Sequence, residues 1–182
     1  MTMNILVAGA TGKTGRQVLQ YLMDRGHQPT ALVRESSDTG DLPHGVNLRS
    51  GDLADLPSDV CDNMDVVIFA AGSGGNTGAE MTDKVDRDGA KKLVDIAGRS
   101  DVKRFVMLSS VGADQANPTG DLAHYLKAKH DADAHLKASG LTYAILRPVA
   151  LTDDDRHQEV TLGGIARRRR ASSGRCCDQR VP

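Results

Sequence analysis

The stretch "VAGATGKTGRQVLQYL", residues 7–22, runs from an apolar segment through three glycines into an amphipathic helical pattern. Gly9, Gly12 and Gly15 have the spacing of a dinucleotide-binding turn. In such a turn the first glycine allows a tight bend, the second admits a pyrophosphate, and the third lets helix and strand pack closely. Free N–H groups at the helix start then face the phosphate charge. The stretch therefore predicts a βαβ unit that binds a dinucleotide.

The rest of the chain repeats this alternation of strand and helix. Helical periodicity predicts helices over residues 13–25, 83–99 and 122–139, and short β-branched runs predict strands between them. The alternation favours an α/β fold of Rossmann type, a doubly wound and mostly parallel sheet with helices on both faces. The six predicted strands are "NILVAG" (4–9), "PTALVR" (29–34), "VNLRSGDL" (46–53), "DVVIFAAG" (65–72), "KRFVMLSS" (103–110) and "TYAILRP" (142–148).

Composition narrows the class of protein. A chain of 182 residues with 26% charged residues and a net charge of −1 is typical of one soluble domain, and it lacks the basic excess that nucleic acid or anionic membrane favours. The start of the chain enters a strand without the regions of a signal peptide, which predicts a cytoplasmic location. Cys61, Cys176 and Cys177 form neither a disulfide framework nor a metal-binding pattern, so no metal is expected.

The end of the second strand indicates which dinucleotide is bound. An NAD-selective site has an acidic residue there, about 20 residues past the glycines, to bind the ribose 2′-hydroxyl. Arg34 stands there instead, and a guanidinium suits the 2′-phosphate of NADP. Lys13 in the glycine turn adds a second positive charge. Glu35 follows Arg34 directly and leaves NAD open as the less favoured cofactor.

Eight short motifs share the order of one known family: "GATGKTG" (9–15), "LVR" (32–34), "GDLAD" (51–55), "VIFAAG" (67–72), "VDRDGAKKLVDIA" (85–97), "VKRFVMLSSVGAD" (102–114), "YLKAK" (125–129) and "SGLTYAILRP" (139–148). With them the chain resembles the short-chain dehydrogenase/reductase superfamily over about residues 3–154. The resemblance is greatest to its atypical NAD(P)H-binding branch, the NmrA-like and flavin/biliverdin-reductase-like proteins.

The resemblance implies a set of cofactor contacts. Asp52 and Leu53 would lie against the adenine, Ala71 and Gly72 would line the far ribose, and Lys129 would hold that ribose. The complete set implied for the cofactor is Gly9, Thr11, Gly12, Lys13, Thr14, Gly15, Arg34, Asp52, Leu53, Ala71, Gly72 and Lys129.

The resemblance also implies a catalytic set of serine, tyrosine and lysine. The matching residues are Ser110, or its neighbour Ser109, with Tyr125 and Lys129. Asp86 stands where the family often has an asparagine, and it departs from that pattern. Positions i and i+4 share a helix face, so the Lys129 ammonium is expected to lower the pKa of Tyr125. Tyr125 would then supply a proton while Ser110 polarises a substrate carbonyl.

Three functions are compatible with these residues. The leading one is an NADP-binding reductase that transfers hydride to a small carbonyl, quinone or flavin-like substrate held under the loops at 72–80 and 112–121. The alternatives are a non-catalytic NADP(H)-responsive regulator with a protein partner, in which Lys129 only holds the ribose, and a sugar-nucleotide epimerase. The motifs identify neither the substrate nor the oligomeric state.

The C-terminal residues 165–182 differ from the rest of the chain. They carry 6 of the 15 arginines and have little apolar periodicity, so the predicted domain is 1–164. Permitted codons for "SGRCCD" (173–178), read one base later, encode Arg-Ala-Asp-Val-Ala, a sequence similar to a motif of the resembled family. We therefore hypothesise that a frameshift after "VTLGG" (160–164) altered the C-terminal elements.

Overall fold

The computed structural model describes residues 1–74, 77–149 and 151. In this part of the chain, strands and helices alternate as the sequence predicts. Their bounds are β1 Asn4–Ala8, α1 Lys13–Asp24, β2 Gln28–Val33, β3 Asn47–Ser50, β4 Val66–Phe69, α2 Ala79–Thr82, a π-helical segment Asp83–Gly89, α3 Ala90–Arg99, β5 Arg104–Leu108, α4 Ala123–Ala138 and β6 Tyr143–Leu146.

The six strands form one sheet in the order β3-β2-β1-β4-β5-β6. Every neighbouring pair is parallel, and Ile5 of β1 lies between Pro29 of β2 and Val66 of β4. The predicted α/β doubly wound fold is therefore confirmed. Because all strands run in one direction, their carboxyl ends meet at a single edge of the sheet, which is where open α/β sheets bind ligands.

The core consists of two hydrophobic clusters, one on each face of the sheet. Along β1, Ile5 and Val7 belong to the cluster that includes Leu19 of α1, whereas Leu6 and Ala8 belong to the other. Both sets are buried, so β1 has no polar face. This burial explains why its sequence is apolar without the alternation of a half-exposed strand.

The helix predicted over 83–99 is not one continuous α-helix. Residues Asp83–Gly89 form a π-helical segment, and α3 follows it from Ala90 to Arg99. The wider turn places Asp86 and Gly89 both in the interior. A methyl group on Gly89 would lie 2.9 Å from Cβ of Leu53, so the segment packs closely on the loop that follows β3. Single wide turns of this kind occur frequently at functional sites.

Some predictions fall on other parts of the chain. The tail 165–182 and the altered C-terminal elements lie outside the described residues. Among the helices that are described, none is long and apolar enough to cross a membrane. The cytoplasmic location and the lack of nucleic-acid or membrane partners stay predictions from composition.

Gly15 and Gly98 provide a matched test of the packing between α1 and β1. A methyl group on Gly15 would lie 2.1 Å from the Gly9 carbonyl oxygen, whereas one on Gly98 in α3 meets nothing within 4 Å. We expect Gly15→Ala to lower the free energy of unfolding by about 1–3 kcal/mol or more through overpacking. Gly98→Ala should raise it by about 0.5–1 kcal/mol because alanine favours helix. Urea unfolding measures both changes. If the free energy of unfolding changes equally in the two variants, the close packing of α1 against β1 is contradicted.

Candidate cofactor and catalytic site

The predicted site residues collect at the carboxyl edge of the sheet. Gly9 follows β1, Arg34 follows β2, Asp52 follows β3, Ala71 follows β4 and Ser110 follows β5. They come from five separate segments of the sequence, and the parallel sheet brings those segments together. This edge is the candidate site.

The glycine turn has the geometry that the sequence predicts. Gly9 has φ +81°, and a Cβ there would lie 2.5 Å from the Ala71 nitrogen, so the turn touches the end of β4. The N–H of Gly12 donates to the Gly9 carbonyl oxygen at 3.1 Å. Helix α1 begins after Gly12 with no side-chain cap and no acidic residue in its first turn. Thr11 and Gly12 are exposed, so the uncapped helix start fits a phosphate group.

The residues predicted to face the adenosine half of a cofactor lie farther along the same edge. The side chains of Arg34 and Glu35 are both exposed, and the backbone N–H of Arg34 donates to the Ser37 hydroxyl at 3.1 Å. Asp52 is also exposed and accepts a hydrogen bond from the Ala54 N–H at 2.9 Å. The choice between NADP and NAD stays a prediction.

The Lys129 ammonium lies in a closed cage. Its Nζ forms an ion pair with Oδ1 of Asp86 at 2.8 Å and donates to the Ala71 carbonyl at 3.3 Å. It also lies 5.7 Å from the ring centres of Phe69 and Tyr125, within cation–π reach. The two charged side chains are 3% and 0% exposed. Tyr125 and Lys129 do share a helix face, as predicted, while the ribose contact of Lys129 stays a prediction.

Asp86 connects this cage to the loop after β4. Its Oδ2 accepts a hydrogen bond from the Ser73 N–H at 2.9 Å, and the Ser73 hydroxyl lies 3.1 Å from that of Thr82. Gly72 is exposed beside the same carboxylate. The ion pair of Asp86 and Lys129 therefore holds residues 71–73 from both ends, because Lys129 bonds Ala71 and Asp86 bonds Ser73. Sequence reasoning missed Ser73 because its contribution to Asp86 is a backbone N–H, which leaves no signal in residue type.

The expectation that Lys129 lowers the pKa of Tyr125 is wrong. The pKa of Tyr125 is raised, first by burial and then by the negative charge of Asp86, while the nearby Ser110 hydroxyl lowers it. The physical reason is burial, which disfavours the charged tyrosinate, together with Asp86, which balances the Lys129 charge at close range. The Tyr125 phenol therefore keeps its proton at neutral pH.

The two candidate serines have different surroundings. Ser109 is buried and its hydroxyl donates to Oδ2 of Asp133 at 3.0 Å. The Arg147 guanidinium donates twice to the same oxygen, at 2.8 and 3.0 Å. Burial raises the pKa of Asp133, against the lowering effect of these bonds. Ser110 is half-exposed instead, its hydroxyl donates to the Val111 carbonyl at 3.3 Å, and it lies close enough to Tyr125 to lower the pKa of that phenol, so Ser110 is the candidate that can meet a substrate.

Asp133 and Arg147 are supporting residues that sequence reasoning did not single out. Asp133 follows Lys129 by four positions and therefore shares its helix face, a signal that the sequence contains.

Across the described ranges, no three His, Cys, Asp or Glu side chains lie together as a metal site would require. Cys61 is buried, and burial raises the pKa of its thiol to about 12, so it remains an unreactive thiol.

Sequence comparison supports the predicted resemblance. The profile of a protein family described as NAD(P)H-binding matches residues 9–174. The uncharacterized sugar epimerase YhfK of Bacillus subtilis is 36% identical over 158 residues, which make up 84% of this chain and 74% of that protein.

Solved structures share the fold. A Bacillus halodurans protein assigned by inference as an NAD-dependent epimerase/dehydratase is 38% identical with a TM-score of 0.81, covering 87% of this chain and 76% of that one. The oxidoreductase ylbE of Lactococcus lactis is 31% identical with a TM-score of 0.72, covering 85% of this chain and 73% of that one. The resemblance inferred from the motifs is thereby confirmed.

Ser109 and Ser110 give a second test, because the structure assigns them different tasks. Ser109→Ala leaves the buried Asp133 without one of its donors and should lower the free energy of unfolding by about 1–3 kcal/mol. Ser110→Ala removes a half-exposed hydroxyl and should change it by about 0.5 kcal/mol or less. Chemical denaturation of the two variants beside the wild type checks this order; a larger loss for Ser110→Ala would contradict the assignment.

Proposed function

The chain belongs to the NAD(P)H-binding family, within the atypical short-chain dehydrogenase/reductase superfamily, and we propose that it is an NADP-dependent reductase of small carbonyl, quinone or flavin-like compounds. The observation that carries the proposal is the position of Tyr125 at the carboxyl edge of the sheet, where its ring centre lies 5.7 Å from Nζ of the buried Lys129 and where the half-exposed Ser110 follows β5. The carbonyl partner of Lys129, Ala71, touches the glycine turn.

The carboxyl edge offers contacts for a whole dinucleotide. The uncapped start of α1 would bind the pyrophosphate, Arg34 and Lys13 would select the 2′-phosphate, and the backbone at Ala71 and Gly72 would line the far ribose. Asp52 and Leu53 would lie against the adenine. Arg34 favours NADP because a guanidinium binds a phosphate through two parallel hydrogen bonds, which a ribose hydroxyl cannot accept.

When bound at this edge, NADPH would supply the hydride that reduces the substrate carbon. The hydroxyl groups of Ser110 and Tyr125 would both hydrogen-bond the carbonyl oxygen and stabilise the negative charge that develops on it. Tyr125 would then transfer its proton to that oxygen, which completes reduction to the alcohol. A phenol with a raised pKa is protonated at neutral pH, as a proton donor must be.

An epimerase is the second candidate, because relatives of this chain carry that name. Epimerisation through a keto sugar begins with removal of a proton and a hydride, so the tyrosine must first act as a base. Burial and the Asp86 charge work against a tyrosinate here. The geometry therefore favours reduction. If the protein converts a UDP-sugar with NAD and shows no NADPH-dependent reduction, the epimerase becomes the favoured function and the reductase the second candidate.

The first test of the proposal concerns the cofactor. Arg34→Ala should weaken NADPH binding by about tenfold or more, because a charge-assisted hydrogen bond contributes about 1.5–3 kcal/mol. NADH binding should change little. Arg104→Ala is the matched control, since Arg104 is equally exposed but begins β5 at the opposite edge of the sheet. Fluorescence titration gives the dissociation constants; equal losses for NADPH and NADH would contradict the role of Arg34.

The second test concerns the proton donor. With NADPH and a panel of aldehydes, quinones and flavins, Tyr125→Phe should lower kcat by about 100-fold or more. The control Tyr143→Phe alters a phenol on β6, away from Ser110, and should retain wild-type rates. Because activity needs the protonated phenol, the wild-type rate should stay level through neutral pH and fall only above about pH 10. Tight NADPH binding with no turnover of any substrate would instead favour the non-catalytic regulator.

A further inference from the structure

We propose that Asp86 is a positioning residue: by pairing with Lys129 it fixes the loop at 71–73 and offsets the lysine charge beside Tyr125, so that the phenol is held in its protonated, donor form at neutral pH. The inference rests on the proposed reductase function. It assigns a role to the one residue that departs from the catalytic pattern of the family.

The first step concerns the burial of the pair. Asp86 is 0% exposed and Lys129 is 3% exposed, so neither side chain reaches solvent. The ammonium already has a carboxylate, a carbonyl and two aromatic rings around it. Such an enclosed lysine has little surface left for a ribose hydroxyl. Its effect on a cofactor would therefore pass through the loop that it holds.

The second step concerns that loop. Lys129 binds the carbonyl of Ala71, and Asp86 binds the N–H of Ser73, so the pair grips the backbone on both sides of Gly72. Ala71 also contacts Gly9, since a Cβ on that glycine would lie 2.5 Å from its nitrogen. The ion pair thus anchors the backbone that lies against the glycine turn, and these two segments would enclose the cofactor.

The third step concerns the charges near Tyr125. Burial and then Asp86, on the π-helical segment, raise the pKa of this phenol, whereas Ser110, at the end of β5, lowers it. Lys129, on α4 itself, lies over the Tyr125 ring. Other charged side chains on the π-helical segment and on α4 form ion pairs of their own. They are Asp83 with Arg87 and His124, Arg87 with Asp88, and Lys127 with Asp131.

The proposal is tested by removing the charge of Asp86. In Asp86→Asn the lysine charge acts on Tyr125 without its counter-charge, and the phenol pKa should fall by about 1–3 pH units. The Asp86→Asn variant leaves a buried ammonium unpaired, which strongly destabilises a fold. A second comparison therefore uses the double variant Asp86→Asn/Lys129→Met, which buries no charge, and Lys129→Met, in which the buried Asp86 carboxylate keeps the Ser73 N–H as its donor. The phenol pKa should be lower in the double variant than in Lys129→Met.

The experiment is an ultraviolet titration of tyrosinate in these variants, over the pH range in which circular dichroism shows the folded protein. Tyr125→Phe identifies the transition of Tyr125 among the three tyrosines of the chain. Asp95→Asn is the matched control, because it removes an exposed carboxylate that pairs with His135, which lies farther along α4 than Tyr125. It should leave the Tyr125 transition unchanged.

Two results separate this proposal from the one on which it rests. An unchanged Tyr125 pKa in both comparisons overturns the positioning role, whatever the turnover. If the Tyr125 pKa shifts as expected but the protein reduces no substrate, the electrostatic role of Asp86 is supported. Only the proposed reductase function is then contradicted. The titration needs neither cofactor nor substrate, so the two failures cannot be confused.

Discussion

The backbone of the first glycine turn lies so close to its neighbours that no side chain fits between them. A Cβ on Gly9 would meet the nitrogen of Ala71, and one on Gly15 would meet the carbonyl of Gly9. These two contacts bring α1 onto β1 and the turn onto the end of β4. The positions of the uncapped helix start, of the loop at 71–73 and of the residues behind that loop all depend on this approach.

Behind that loop the fold buries a charged pair, and this has an energetic cost. Desolvation of Asp86 and Lys129 offsets much of their attraction, so the pair adds little net stability compared with apolar residues of the same size. Its value lies in orientation, because two bonds fix the backbone on either side of Gly72. The charge of the same carboxylate adds to burial in raising the pKa of Tyr125. Backbone placement and proton chemistry are therefore coupled through one side chain.

The sequence predicted the features that depend on local residue pattern. The predictions were wrong for the features that depend on contacts between distant parts of the chain. Glycine spacing, strand order along the chain and the shared face of Tyr125 and Lys129 follow from periodicity, and the structure agrees with them. The π-helical segment was not predicted, because its wider turn is stabilised by the buried contacts of Asp86 and Gly89. The predicted direction of the Tyr125 pKa shift was wrong for the same reason, since the burial of the phenol and the nearby Asp86 charge arise only when the chain is folded.

A crystal structure of the protein with bound NADPH would test the central claim most directly. The account predicts density for the cofactor along the carboxyl edge from Arg34 to the backbone at Ala71 and Gly72. It also predicts that Nζ of Lys129 remains in ion-pair contact with Asp86. Cofactor density at another surface would contradict the account, and so would a Lys129 that has left Asp86 to bond a ribose hydroxyl.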